Sequence, residues 1–410
     1  MARDPRVALV FDTFPPHRDG GAGFVHGLSR ELAGLGAEVH VITSTTAAGF
    51  DSSAMPQGFR LWPVLSSWTW GWRDLSAVSV LRETLRTIGP DVVHLVYPSS
   101  DRPNSFHLPV MLRLLAGCPV VTTFFALNLL RGVTSRTRLT GLWLISTSNL
   151  LVSHDPYYLR LLRLLSAWRL GRVRYLPVGA NIAEPEAHHR PDRVREYRRM
   201  LGLPPADHYL AHFGFVDSSR DIDTLLEALR RLREEGREVR LLMIGATAPA
   251  PTQQLSGHQR EFRARIAAMA EKLGEAIIWT GFCPEERVTE YFLASDCAVL
   301  PFHRNTFGRT SLAAALQHGM PVITTASGRR ALFLEHGENA MLVPADQPAR
   351  LVAALKEVLA SPELRIKLGT GARQAADWYR WPRVAEMTAR VYGEVSPAWR
   401  GFELKPERRQ

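Results

Sequence analysis

The chain alternates short apolar runs with amphipathic stretches, and it begins that alternation twice. Val7–Asp12 (VALVFD), Val39–Thr43, Asp91–Val96 and Pro119–Phe124 are short, nearly free of polar residues and bounded by Pro/Gly loops. Runs apolar on both faces belong to strands covered on both sides, as in a parallel sheet flanked by helices. Phe24–Leu35, between the first two, has helical spacing, so strand, loop, helix and strand make a βαβ unit. Leu142–Ser148 (LWLISTS) and Val173–Pro177 are expected to be further strands, with a helix over Pro156–Trp168. Ala183–Asp207, rich in Pro, His, Arg and Glu with a short helix at Asp192–Leu201, reads as a linker.

A second series then starts. Tyr209–Phe215, Val239–Gly245, Ala276–Thr280, Cys297–Pro301 and Pro321–Thr325 are its expected strands. Ile222–Glu235, Glu261–Leu273, Arg287–Ala294 and Thr310–His318 are the helices between them, followed by Ala349–Ala360, Pro362–Gln374 and Trp378–Val395. The length of 410 residues exceeds one ordinary core and fits two domains.

Composition narrows the function classes. No run of eighteen apolar residues appears, so no spanning helix is expected. MARDPRVALVFDTF enters a strand pattern directly and reads as lacking a signal peptide. Cys118, Cys283 and Cys297 are far apart in apolar surroundings, which reads as buried free thiols in a reducing cytosol and excludes a zinc site. The formal charge is +10, nearly all of it arginine, whose fork of donors matches phosphate. Nucleotide phosphates, anionic lipid or a merely solvated basic surface all fit; no nucleic-acid module is present.

Five stretches can carry chemistry. Asp19-Gly20-Gly21-Ala22-Gly23 precedes a helix, where glycine lets backbone approach an anion and the helix start adds N–H groups. Arg220, after Phe213-Gly214-Phe215 and Ser218-Ser219, lies in a strand-to-helix loop at the carboxyl edge of the second sheet, where α/β folds bind ligands. Arg304, Asn305, Thr306, Arg309, Thr310 and Ser311 form a polar cluster before a helix that Thr310 or Ser311 could cap. Gly337–Pro344 is a turn into a short strand at the same edge. Trp68, Trp70 and Trp72 with Arg131, Arg136 and Arg138 suit either a core or a peripheral membrane contact.

These stretches together resemble glycosyltransferase family 4, retaining enzymes of GT-B fold. HFGFVDSSRDIDTLLEAL, IIWTGFCPEERVTEYFLASDCAVLPF, GRTSLAAALQHGMPVITT and HGENAMLVP carry the likeness, and PPHRDGGAGFVHGLSRELAGLGAEVHVIT is similar to the family's opening motif. The resemblance implies an α/β protein of two Rossmann-like domains facing across a cleft. The first is residues 1–183 and the second, which holds the donor, is 184–378; a C-terminal helix in 379–410 crosses back to the N-terminal domain.

The implied activity is transfer of a sugar, with retention and without a metal or cofactor, from a UDP- or GDP-linked donor to a glycan, lipid or small-molecule acceptor. Arg220 and Arg309 would hold the leaving diphosphate. Gly20, Gly21, Gly214, Phe282, Asn305, Thr306, Gly308, Thr310, Ser311 and Asn339 would contact the donor, and His17, Arg18 and Phe125 would face the acceptor. The chain departs from the family pattern at four places. Phe215 stands for a basic residue, Thr306 and Ala314 for the paired donor-loop glutamates, and Phe125 for an acceptor-side histidine. Those departures motivate an alternative: a GT-B scaffold without turnover that serves a partner enzyme. The expected location is the cytoplasm, at most peripheral to the membrane.

Overall fold

The computed structural model describes residues 3–15, 20–44, 58–65, 75–97, 108–124, 145–166, 172–246, 257–303, 308–326 and 333–402. Its contacts gather into two units: Met1–Gly179 together with Trp381–Gln410, and Ala180–Arg380.

The first unit holds a parallel sheet of seven strands: β1 (Arg6–Val10), β2 (Glu38–Ser44), β3 (Phe59–Leu65), β4 (Val92–Tyr97), β5 (Val120–Phe124), β6 (Leu150–Ser153) and β7 (Val173–Tyr175), in the order β3-β2-β1-β4-β5-β6-β7. Helices α1 (Gly20–Gly34), α2 (Leu75–Ile88), α3 (Leu108–Leu115) and α4 (Pro156–Leu165) accompany it. The period of two along β1 separates two cores. Val7 and Leu9 join the one under α1, and Ala8 and Val10 the one on the other face.

The second unit repeats the plan with β8 (His208–Phe213), β9 (Val239–Ile244), β10 (Ile277–Gly281), β11 (Cys297–Leu300), β12 (Val322–Thr325) and β13 (Met341–Val343), ordered β10-β9-β8-β11-β12-β13. Its helices are α5 (Val194–Met200), α6 (Ile222–Glu234), α7 (Gly257–Leu273), α8 (Glu285–Leu293), α9 (Thr310–Gln317), α10 (Pro348–Ala360) and α11 (Pro362–Ala376). Counting from each unit's first strand, both sheets run 3-2-1-4-5-6, the doubly wound order.

After a short 3-10 turn at Asp377–Tyr379, α12 (Trp381–Gly393) packs on α1 of the first unit. The Trp381 indole fills a socket that two glycines open. A Cβ at Gly27 or at Gly179 would lie 2.4 Å from its ring atoms. Further along α12, the Tyr392 hydroxyl lies 2.7 Å from Nδ1 of His94 on β4, while Thr123 Oγ1 on β5 lies 2.7 Å from Nε2. Burial pushes His94 down to about 3, so the ring is neutral and these two hydroxyls satisfy both nitrogens.

Several expectations are corrected. The strand expected at LWLISTS is not found in its described part: residues 145–147 are helical, 142–144 lie outside the described residues, and the strand is β6, starting at Leu150. The glycine stretch is not a loop ahead of the helix, because α1 begins at Gly20. Ala183–Asp207 is no free linker. His189 is buried, its N–H donating to His318 O at 2.8 Å, and Arg198 pairs with Asp296 at 2.5 Å, so the segment is packed into the second unit. Of the cysteines only Cys297 is buried, while Cys118 and Cys283 are half-buried. Strand β3 and helices α2 and α3 are additions to the expected pattern. Pro63 obscured β3, which lies at the sheet edge, where proline costs no ladder bond on the open side.

Candidate functional site

Strands β8 and β11 are neighbours at the point where the second sheet's order reverses, and ligands of doubly wound sheets bind beyond the carboxyl ends of such strands. Two connections meet there: Gly214–Asp221 from β8 into α6, and the segment from Pro301 to Arg309 into α9. They are stitched together. The Asp221 N–H donates to Pro301 O at 3.1 Å, Arg220 and Phe302 form an isolated antiparallel bridge, and the His303 N–H donates to Ser219 O at 3.4 Å.

This stitching holds a pair of guanidinium groups around one buried ring. The Arg220 Cζ lies 5.5 Å from the Phe302 centroid and the Arg309 Cζ 4.9 Å from it. Arg220 is only 8% exposed. Its Nη1 donates to Phe213 O at 3.1 Å and to Ser311 Oγ at 3.3 Å. Its Nε lies 3.4 Å from Asp217 Oδ2, close enough for an ion pair but not aligned as a hydrogen bond. Arg309 Nη1 donates to Ser219 Oγ at 3.1 Å, and the Ser219 hydroxyl donates in turn to Asp217. Asp217 Oδ1 also accepts the Ser219 N–H at 2.8 Å.

Burial pushes Arg220 down to about 10; Asp217 opposes that shift and Arg309 adds to it, and the group stays charged at neutral pH. Burial alone would raise the Asp217 carboxyl. The Ser219 hydrogen bonds and the two arginines outweigh it and hold Asp217 below its ordinary value. Among the described residues, Arg220 and Arg309 thus set two cations beside the Asp217 carboxylate.

Gly214 makes the arrangement possible. Its φ of +129° is costly for any residue with a Cβ, and a Cβ there would lie 2.3 Å from Arg220 Nη2. Helix α9 begins beside the pair with Arg309 as its N-cap and no side-chain cap hydrogen bond. The expectation that Thr310 or Ser311 caps this helix fails: Thr310 is already in the first turn, and the Ser311 hydroxyl is engaged by Arg220. An uncapped helix start presents N–H donors and the positive end of the helix dipole.

Near the same edge, Asp221 Oδ1, His303 Nδ1 and Asp346 Oδ1 lie within 4.8 Å of one another, a set of types that can ligate a cation. They already have internal duties. Asp221 caps α6 through the Thr224 N–H and accepts the Asp346 N–H at 2.8 Å, and His303 pairs with Asp346 at 2.5 Å. Beneath the site, His212 donates from Nδ1 to Val299 O at 2.8 Å, and burial pushes it down to about 3, so it is neutral.

The other expected site residues are scattered. Gly308, at φ +66°, leads into Arg309. Phe282 follows β10 and is 59% exposed, as is Phe215 after β8. Asn339 spends its amide on its own turn, accepting from Glu335 N at 2.7 Å and donating to Phe333 O at 2.8 Å. It lines an open polar cavity of about 650 Å³ with Glu335, Glu338 and Lys367. In the first unit, a Cβ on Gly21 would meet the Phe11 ring at 2.2 Å, so helix–strand packing already demands that glycine; Gly20 is exposed at the start of α1. Ala314 is fully buried on α9. Arg304, Asn305, Thr306, His17, Arg18 and Phe125 lie outside the described residues, as do Trp68, Trp70, Trp72, Arg131, Arg136 and Arg138. Sequence reasoning overlooked Asp217, whose only signal is an acid three residues before a buried arginine.

Two family models match the chain: "Glycosyl transferase 4-like domain" over residues 19–167 and "Glycosyl transferases group 1" over residues 194–375. The chain belongs to the family 4-like glycosyltransferases. The D-inositol 3-phosphate glycosyltransferase of Streptomyces bingchenggensis is 28% identical over 205 residues, which are 50% of this chain and 44% of that protein. That of Geodermatophilus obscurus is 30% identical over 197 residues, 48% of this chain and 42% of that protein. The chain thus spans about half the length of the curated relatives it matches. Among solved structures, sucrose-phosphate synthase from Thermosynechococcus elongatus superposes with a TM-score of 0.72 at 20% identity, covering 95% of this chain and 98% of that one. Anabaena Alr3699/HepE, solved in complex with UDP and glucose, gives 0.69 at 13% identity, covering 95% of this chain and 100% of that one. These likenesses show the fold, GT-B.

Proposed function

We propose that this chain transfers a sugar from a nucleotide-sugar donor, UDP- or GDP-linked, to a glycan, lipid or small-molecule acceptor with retention of anomeric configuration. The observation that carries this reading is the guanidinium pair of Arg220 and Arg309 beside the uncapped start of α9. Fixed positive charge and free N–H donors at a sheet's switch point suit a diphosphate. The names of the relatives support glycosyl transfer, and the UDP in the Anabaena structure supports this class of donor.

In this reading the bond from the anomeric carbon to the phosphate oxygen breaks while the acceptor oxygen bonds to that carbon on the same face. The acceptor's proton passes to a phosphate oxygen. Arg220 and Arg309 stabilise the charge gathering on the departing diphosphate, which makes a metal unnecessary for that task. Asn305, Thr306 and Gly308 take the sugar, with Thr310 and Ser311 at the phosphates. Gly214 holds Arg220 in place and Phe282 offers a face to the base. His17, Arg18 and Phe125 serve the acceptor. No described helix is long and apolar enough to cross a membrane; a cytoplasmic, at most peripheral location is part of this proposal.

Calorimetry with UDP, GDP and their sugars, together with a donor-hydrolysis assay, tests the proposal. Arg220→Ala should weaken nucleotide binding at least tenfold, about 1.4 kcal/mol. Unchanged affinity overturns the assignment of Arg220. Donor binding without hydrolysis or transfer would select the scaffold reading, which Ala314 favours because a buried methyl replaces an expected carboxylate.

A further inference from the structure

The Asp217 carboxylate has no part in the chemistry proposed above, yet it sits against the arginine pair. Its side chain is 45% exposed, whereas that of Arg220 is 9% exposed. The inward nitrogen of Arg220, Nη1, is occupied by Phe213 O and Ser311 Oγ. Asp217 approaches the remaining edge through Nε at 3.4 Å, from the solvent side. Through the Ser219 hydroxyl, which it accepts, it also reaches Arg309. One carboxylate thus takes the place that an incoming anion would need: it pairs with Arg220 directly and reaches Arg309 through Ser219.

We infer that Asp217 is a built-in stand-in for phosphate: it parks the guanidinium pair in the empty site, and a bound diphosphate must displace it. The inference rests on the reading of Arg220 and Arg309 as the phosphate site. Two like charges stacked on one ring repel each other, and burial of Arg220 raises the cost of leaving it without a counter-ion. The carboxylate relieves both costs in the empty protein, so its charge is subtracted from the affinity for phosphate. The imperfect geometry fits this role, because an ion pair without hydrogen-bond alignment is easily exchanged for a ligand that offers several oxygens. Asp217 is therefore a residue that sets donor and product affinity, not a catalytic residue.

The design predicts a gain on removal, which a merely structural residue would not give. Asp217→Asn keeps size and shape, and Asp217→Ser shortens the side chain beyond reach of Arg220. Binding of UDP, inorganic pyrophosphate and uridine is measured by calorimetry at fixed ionic strength, with the folded state of each variant checked by circular dichroism. Both variants should bind UDP and pyrophosphate about tenfold more tightly than the parent, and uridine no differently. The gain should vanish when Arg220→Ala is added. Equal or weaker pyrophosphate binding by both variants, with Arg220→Ala still weakening UDP in the parent, overturns the stand-in role alone. Arg220→Ala without effect on UDP overturns the phosphate site itself, and the inference with it.

Discussion

The two units share one strand order, and His94 in the first and Arg220 in the second show two ways of burying a polar group. On the first sheet His94 is fully buried and neutral, with both nitrogens matched by the hydroxyls of Tyr392 and Thr123. In the second, the buried group beside the switch point is Arg220, charged, held by two neutral acceptors and one loosely placed carboxylate. The first arrangement is what stability selects, since every donor finds an acceptor. The second costs stability, since a buried cation is only partly compensated. A charge kept at that cost at a sheet's ligand-binding edge is what the proposed donor site requires.

Glycine makes the same distinction, and here the largest effect is expected. Gly27 and Gly179 make room for the apolar Trp381 indole, whereas Gly214 makes room for a guanidinium and also adopts φ +129°. Gly214→Ala should cost about 3 kcal/mol or more, summing backbone strain and the displaced Arg220, and should abolish tight nucleotide binding. Gly27→Ala should cost about 1–3 kcal/mol by pushing Trp381 off α1. It should leave nucleotide affinity of the folded protein unchanged. Urea unfolding and calorimetry on the two variants separate these outcomes. Equal loss of affinity in both would mean that the glycines do not have distinct jobs.

A middle-sized effect probes the satisfied histidine. Tyr392→Phe removes the hydroxyl from His94 Nδ1 and strands a buried nitrogen, which should lower stability by about 1–3 kcal/mol. Arg220→Met removes a buried cation of similar length and should leave thermal stability unchanged or raised while nucleotide binding falls. A melting temperature that drops as far in Arg220→Met as in Tyr392→Phe would erase the difference between the units.

The alternation of apolar runs and helices revealed both sheets, because strands buried on two faces leave an unbroken apolar signature. It failed where that signature was interrupted. Pro63 masked the edge strand β3, and the expected strand at LWLISTS gave way to a helical turn at 145–147 ahead of β6. Near the site, Arg220, Arg309 and the glycines were legible as residue types with a reason to lie at a sheet edge. Their geometry was not. Which face of Phe302 each guanidinium takes, that Ser311 accepts from Arg220 rather than capping α9, and that Asp217 closes the pair are products of tertiary packing. The socket of Gly27 and Gly179 is likewise invisible in sequence, since the glycines and Trp381 lie far apart along the chain.

A more gradual effect comes from acid, and here the two units behave alike. Burial pushes His94 and His154 in the first unit, and His189, His212 and His318 in the second, down to about 3 or 4. A histidine whose folded pKa lies below its unfolded value of about 6.5 leaves stability intact above that pH. Below it the unfolded chain takes up a proton that the native state refuses, so stability falls until the folded value is reached. Between pH 6.5 and 4.5 the acid-side losses from carboxylates such as Glu227, held at about 2, have not begun, and the slope belongs to histidine. Each such ring contributes at most about 1.4 kcal/mol per pH unit. His212→Asn retains a donor for Val299 O and removes one titrating group, so the urea midpoint of the variant should fall less steeply with acid over this range. An unchanged slope would mean that His212 accepts a proton in the folded state, against both its burial and the nearby Arg220 charge.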